Sequence, residues 1–235
     1  AGLLPLNSKN LDFSLEYYTK TSGQWTFGLF SRDVKDYITT STVPMTPELL
    51  EELGLDTSFA NYQVSTKFNL GSAKWSGYEF KFTQSLREFA ALPRFVHGFT
   101  LWANYTKIAK MEGDFGTPGA VVTELANVVP ELYNAGVKFR SPTGRFEVNL
   151  STNYQAKKPT QNLPARAAAA QRAPYQEPYQ FWNMDVSYRL TNKLRLSAVA
   201  RNLNAERPIF SEMGIVRNTQ QATGVAWLFS ARYDL

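Results

Sequence analysis

The side chains of this sequence that can do chemistry are charged residues two or four apart in short stretches: Glu79 and Lys81, Lys138 and Arg140, Arg145 and Glu147, Asp185 and Arg189, Arg232 and Asp234. In a strand that spacing puts both members on one face. The signs are mixed, so the chemistry on offer is ion pairing along a wetted surface. Groups that a catalyst needs are scarce. The chain has no cysteine and one histidine, His97, which removes thiolate metal sites and cysteine nucleophiles and starves a His-based triad or zinc site. His97 reads as a surface side chain, and Glu51-Glu52 as a solvated helix face. No catalytic, cofactor-binding or metal-binding residue is assigned, and the chain reads as a non-enzyme. The net charge of +5 is modest. No Lys/Arg cluster interleaved with aromatics marks a surface for nucleic acid.

The elements that must carry these charges are strands. Of the 235 residues 43% are hydrophobic and 14% aromatic. No apolar run of about 18 residues makes a transmembrane helix, and no secretory signal peptide is read. Period-two alternation recurs nine times, which predicts an all-β, antiparallel chain. Leu11 to Tyr17 comes first. Trp25, Phe27 and Leu29 begin a second strand whose phase changes at Phe30-Ser31, as a bulge would cause, before Val34 and Ile38. Then follow a long strand over 62–86, Phe99 to Tyr105, Tyr133 to Arg140, Phe146 to Tyr154, Trp182 to Leu190, and Leu194 to Arg201. The ninth, Val225 to Leu235, sets Trp227, Phe229, Tyr233 and Leu235 on one face, and Ser230, Arg232 and Asp234 on the other.

Connections alternate in length. Tight turns at 20–24, 141–144 and 191–193 interleave with long segments at 39–61, 110–131, 157–178 and 204–222, so the two kinds lie at opposite ends of the sheet. Splitting 62–86 at Asn69-Leu-Gly-Ser72 into a hairpin would invert every later connection, and it is therefore read as a single strand with its upper half projecting. Thr46-Pro47 before an acidic stretch that stops at Gly54 predicts a short capped helix in the first long loop. The prolines and the alanine run of 157–178 predict a mobile loop.

The apolar parity meets either a protein core or lipid. A soluble sandwich also alternates. Against it, Tyr and Trp concentrate near strand ends, at Tyr17, Trp25, Tyr105, Tyr154, Trp182, Tyr188, Trp227 and Tyr233, as the aromatic girdles of a membrane barrel require. Short turns at one end and long loops at the other are also the rule for outer-membrane barrels. Trp182, Tyr188, Trp227, Phe229, Tyr233 and Leu235 are thus expected to face the lipid bilayer.

At this point the residues resemble the C-terminal part of the β-barrel of TonB-dependent outer-membrane receptors. The stretch Ser8 to Tyr18 resembles a mid-barrel strand, and Gly77-Tyr78-Glu79-Phe80 a recurrent strand of the family. Phe99 to Tyr105, Met184 to Leu190, and Ala200-Arg201-Asn202-Leu203-Asn204 with Arg207-Pro208 resemble the last strands in order. The resemblance implies an outer-membrane location in a Gram-negative bacterium with a periplasmic C-terminus. It implies a barrel of about 22 strands, of which residues 1–235 would be a portion, the plug domain and the N-terminal strands lying elsewhere. It also implies the TonB complex as a partner through the plug, the barrel-assembly machinery reading the C-terminal strand, and a small solute as cargo: a siderophore, a cobalamin-like molecule or a glycan. Leu235 departs from the aromatic residue that usually ends these receptors. Trp102 and Arg201, on the polar parity, are the candidate contacts to a ligand or the plug. The alternative is a passive porin-like or adhesin-like barrel without energised gating.

Overall fold

The computed structural model describes residues 3–20, 22–69, 71–114, 121–122, 124–160, 174–212, 215–219 and 224–234. Its elements run β1 (Asn7–Tyr18), β2 (Gln24–Lys35), β3 (Ile38–Pro44), α1 (Pro47–Leu53), β4 (Gln63–Asn69), β5 (Ser72–Ser85) and β6 (Phe99–Asp114). There follow β7 (Val121–Val122), β8 (Glu131–Arg140), β9 (Phe146–Gln155), β10 (Lys158–Pro159), β11 (Pro174–Gln176) and β12 (Tyr179–Arg189). The last are β13 (Leu194–Arg201), β14 (Ile209–Glu212), β15 (Ile215–Thr219) and β16 (Ala226–Tyr233).

Nine of these strands form one wall in the order β1-β2-β5-β6-β8-β9-β12-β13-β16, every neighbour antiparallel. Each strand read from period-two alternation has a counterpart in the wall, the stretch 62–86 contributing only its second part, β5. Register keeps each face consistent: Phe229 lies opposite Ala198, which lies opposite Val186, then Val148, then Phe139. This apolar side is the outer face; the side bearing Glu79, Asp185 and Arg201 is the inner face. Another register line starts at Trp25, at the turn end of β2, and passes through Phe82, Ala103, Ala135 and Thr152 to Trp182, near the loop end of β12. Such a stagger is what tilted barrel strands produce.

Among the described residues nothing covers the outer face. Leu11 is 73% exposed and Phe229 72%, and among the described residues no second sheet packs across them. A face of this size has to be covered by an apolar medium from outside the chain. That excludes the sandwich, whose apolar parity would be interior.

Short connections gather at one end. Thr19 and Gly23 close the first with mutual hydrogen bonds of 2.9 and 2.6 Å, Ser141 and Gly144 another at 2.8 Å with Gly144 at φ +67°, and Leu190 and Leu194 a third at 2.9 Å. The fourth, 86–98, holds two short 3-10 turns. The long loops share the opposite end and fold on themselves. There β3 and β4 pair into a ribbon, and β10, β11, β14 and β15 build a separate four-stranded sheet out of two loops. The helix forms as its sequence predicts: Thr46 caps Leu49 N at 3.3 Å, Pro47 opens it, and Gly54 ends it at φ +64°.

Three expectations change. The stretch 62–86 is not one strand: β4 pairs β3, β5 pairs β2 and β6, and Gly71 at φ +82° separates them. The direction is kept, since Ile38 pairs Asn69 where Lys35 pairs Ser72, so the hairpin is kinked at that point and does not reverse. The second expectation, a bulge at Phe30-Ser31, fails because the register of β2 runs unbroken there. Instead β6 carries the irregularity: Ser76 pairs Lys110 and Gly77 pairs Ile108, leaving Ala109 extra. Last, the prolines of 157–178 do not leave the whole loop unpaired, because Lys158–Pro159 and Pro174–Gln176 join the upper sheet; 161–173 lie outside the described residues.

The phase change at Phe30 has another cause. Toward the loop end the outer parity of β2, β5 and β6 turns polar, with Ser31, Asp33, Lys35, Lys74, Ser76, Lys110 and Glu112, while the inner parity turns apolar, with Phe30, Val34, Ala73, Trp75 and Met111. The faces keep their geometry and exchange their chemistry. An apolar band that stops at Leu29 and Tyr78 is what a bilayer of fixed thickness demands of strands that outrun it.

Candidate functional site

The inner face carries paired charges on adjacent strands. Arg32 meets Asp12 at 2.6 Å, Glu147 takes Arg140 at 3.1 Å and Lys138 at 3.7 Å, and Arg201 grips Asp185 with two bonds of 3.0 and 3.2 Å. All are substantially solvated, which limits each to about 0–1 kcal/mol of stability. Their effect is to make a polar wall with both signs fixed in place.

Trp102 is on that wall, as its parity predicts. It lies across Gly136 on the neighbouring strand, where an added Cβ would sit 2.7 Å from the indole, and its Nε1 donates to Asn149 Oδ1 at 3.3 Å. The ring lines a groove of ≈ 500 Å³ with Lys138, Glu147, Asn149, Asp185 and Ser197. The other inner candidate, Arg201, is held by Asp185 as described. Asp185 thus lines the groove beside Trp102 while its partner Arg201 does not.

An asparagine relay crosses the same face, and sequence reasoning missed it. Asn153 donates to Asn134, Asn183 donates to Asn153 Oδ1 at 2.8 Å, and the backbone N–H of Asn202 donates to Asn183 Oδ1 at 3.1 Å. Asn202 itself sits at φ +56°, a left-handed conformation asparagine tolerates. At the far end Asn104, opposite Asn134, has a buried Oδ1 without a partner among the described residues. The available signal was an asparagine on the polar parity of four successive strands of the wall; only the register makes it a chain.

The loop end is closed by contacts between loops. Leu125, fully buried, leads the 110–131 loop onto the inner face against Ala73, Trp75, Met111, Tyr37 and Val128. From that anchor, Asn127 N–H reaches Pro159 O at 2.8 Å and Glu124 accepts the Tyr175 hydroxyl at 2.6 Å. In the upper sheet Glu177 accepts from Ser211 and pairs with Lys157 at 2.9 Å, while the same ammonium lies 4.5 Å from the Tyr175 ring centroid. Burial pushes the Tyr175 hydroxyl up, as do the hydrogen bond and charge of Glu124, so it remains a donor at neutral pH. At Glu177 burial acts upward, but the bonds from Ser211 and Lys157 and the lysine's charge outweigh it and hold the carboxyl below its ordinary value.

On the outer face Trp182 is 38% exposed, Tyr188 42%, Trp227 52%, Phe229 72% and Tyr233 60%. All five share that parity. The Trp227 and Phe229 rings lie 6° from parallel at 6.1 Å. Leu235 lies outside the described residues. His97 is fixed by a 3.0 Å contact from Nε2 to Leu92 O. No grouping of metal-ligating side chains occurs among the described residues.

A family model described as TonB dependent receptor-like, beta-barrel, matches residues 1–203. No curated protein matches the chain. Among solved structures, the pyoverdine outer-membrane receptor FpvA of Pseudomonas aeruginosa, bound to pyoverdine, is similar at TM-score 0.63 and 17% identity over 99% of this chain and 30% of that one. The ferric-catecholate import receptor Fiu of Escherichia coli K12 is similar at 0.62 and 13%, over 98% of this chain and 28% of that one. The iron transporter FrpB of Neisseria meningitidis is similar at 0.63 and 13%, over 99% and 31%. The chain thus spans less than a third of the length of these structures.

Proposed function

The chain belongs to the TonB-dependent receptor-like β-barrel family, and on that premise we propose that it forms part of the wall and outer loops of a receptor that takes a scarce solute across the outer membrane. The supporting observation is the contrast of faces: an apolar outer face uncovered by protein, and an inner face of fixed ion pairs and amides. The outer face meets lipid, with Trp182, Tyr188, Trp227, Phe229, Tyr233 and Leu235 in its girdle and terminal strand. The inner face borders the lumen, where Trp102 and the Arg201–Asp185 pair meet the plug or the passing solute.

The short turns lie in the periplasm with the C-terminus, and the upper sheet lies outside the cell. The described residues supply nine strands of the wall; the remaining wall strands, the plug and the contact to TonB are supplied by the rest of the receptor, and the barrel-assembly machinery reads the terminal strand. The cargo class is a ferric chelate, in line with similar structures that bear the names of a ferric-catecholate import receptor and an iron transporter. Cobalamin-like or glycan cargo are its rivals.

Uptake of radiolabelled ferric chelates by iron-starved cells tests this reading. Deletion of the gene and deletion of TonB should each abolish uptake of the cognate chelate. Uptake that persists without TonB would instead make the protein a passive porin-like barrel.

A further inference from the structure

The turn end of the inner face holds a feature that solute import at the loop end does not use. Arg87 and Arg94 in the 86–98 connection and Arg140 at the end of β8 converge on a cleft of ≈ 690 Å³, which His97, Thr100 and Gly144 also line. No carboxylate lines it. Arg140 shares Glu147 with Lys138, and no ion pair of Arg87 or Arg94 is found among the described residues. Ser85 and Thr100 are register partners, and Thr100 faces Lys138, so the cleft opens on the inner parity and away from the apolar outer face.

Its walls are set before any ligand arrives. Ser141 Oγ accepts from Phe146 N at 3.1 Å and contacts Thr143 Oγ1 at 3.2 Å, which fixes the 141–144 turn. A Cβ on Gly144 would stand 3.3 Å from the Arg140 guanidinium, so glycine there leaves that side chain its place. The His97 ring is anchored to Leu92 O. A second basic cleft at this end, with Arg189, Lys193, Arg195 and Arg232, differs in that a carboxylate, Asp234, lines it and pairs with Arg232 at 2.8 Å.

Like charges gathered around a preformed cleft, with no counter-charge lining it, are costly unless an anion joins them. Arginine forks match the oxygens of phosphate and carboxylate with paired hydrogen bonds. With Arg140 already sharing Glu147, Arg87 and Arg94 leave two positive charges, more than one carboxylate neutralises. We propose that the Arg87–Arg94–Arg140 cleft binds a phosphate-class oxyanion, as a free anion or as the exposed phosphate of a headgroup.

The experiment is calorimetric titration of the complete detergent-extracted protein with inorganic phosphate, then pyrophosphate, then a short-chain phosphatidylglycerol below its micelle concentration. Saturable binding by phosphate or pyrophosphate is expected, and it should weaken by about tenfold or more in R87Q/R94Q, the loss of charge-assisted hydrogen bonds. R195Q, in the other cleft, should stay within about twofold of the parent, a rim charge away from the site. Saturation by the lipid alone assigns the phosphate to a headgroup; saturation by the free anions assigns it to solution. If the double variant loses heat-modifiable migration, the exposed single change R94E replaces it, with the same expected loss. No saturable binding by any probe, or affinity unchanged by these substitutions at the cleft, overturns the proposal.

Discussion

At the loop end Leu125 is sealed under a loop, Glu177 is held by both Lys157 and Ser211, and Tyr175 ties one loop to the next. At the turn end of the same wall the connections are short, and Arg87 and Arg94 face a cleft without a carboxylate. Long segments lose more conformational entropy on ordering than tight turns do, so the loop end needs many contacts between loops, whereas the turn end is held by its short turns and by Glu88, which joins two of them through Lys20 N at 3.0 Å. Charge at the loop end is therefore structural. At the turn end that of Arg87 and Arg94 is left available.

The largest test of that contrast is Leu125→Ala. A fully buried leucine truncated this way costs about 2–5 kcal/mol, and the loss should appear as faster proteolysis within 110–131, with the strands of the wall unchanged. Equal cleavage rates would mean that the loop end is not packed as described. Next comes Tyr175→Phe, which removes the donor to Glu124 at a cost of about 1 kcal/mol or somewhat more; hydrogen exchange should quicken at Tyr175 and Asn127 together if the loops are coupled, and at neither if they are not. A smaller effect follows from acid. Because Glu177 is held below its ordinary 4.5 in the folded chain, its stabilisation of the upper sheet is complete above that value and is lost as pH falls through the depressed one. Amide exchange in Ile209–Glu212, corrected for intrinsic rates, should therefore accelerate on acidification below the ordinary carboxylate range, and Glu177→Gln should flatten the response. The smallest effect belongs to the turn end: Arg94→Gln should move the unfolding temperature by no more than about 0.5 kcal/mol implies. A large drop would make that arginine structural and erase the difference between the two ends.

Period two made the wall legible, because Phe229, Val148 and their neighbours alternate cleanly with charges. It failed where chemistry and geometry part company. Phe30 and Val34 looked like a slipped register, yet the strand is regular and it is the surroundings that change above Leu29. The real irregularity at Ala109 left no trace, since the sequence Lys107-Ile-Ala-Lys110 has no parity to break. The upper sheet was invisible for a different reason: β10, β11, β14 and β15 are two to five residues long, too short to show a period, and their pairing joins loops far apart in sequence. Of the inner face, the polar parity of Trp102 and Arg201 was readable; the asparagine relay and the arginine cleft needed the register of strands and turns that no single stretch encodes.

The central claim is that one face of the wall meets lipid and the other water. Residues 1–235 contain no cysteine, so, with any cysteine outside them replaced, single cysteines can be placed one at a time along β12 and β16 in the complete protein, spin-labelled, and read for accessibility to oxygen and to a water-soluble nickel chelate in bilayers. Labels at Met184, Val186, Tyr188, Trp227, Phe229 and Ala231 should favour oxygen, and labels at Asn183, Asp185, Ser187, Leu228, Ser230 and Arg232 should favour nickel or be shielded from both. Nickel access on both parities, or no alternation along either strand, would contradict a lipid-facing wall.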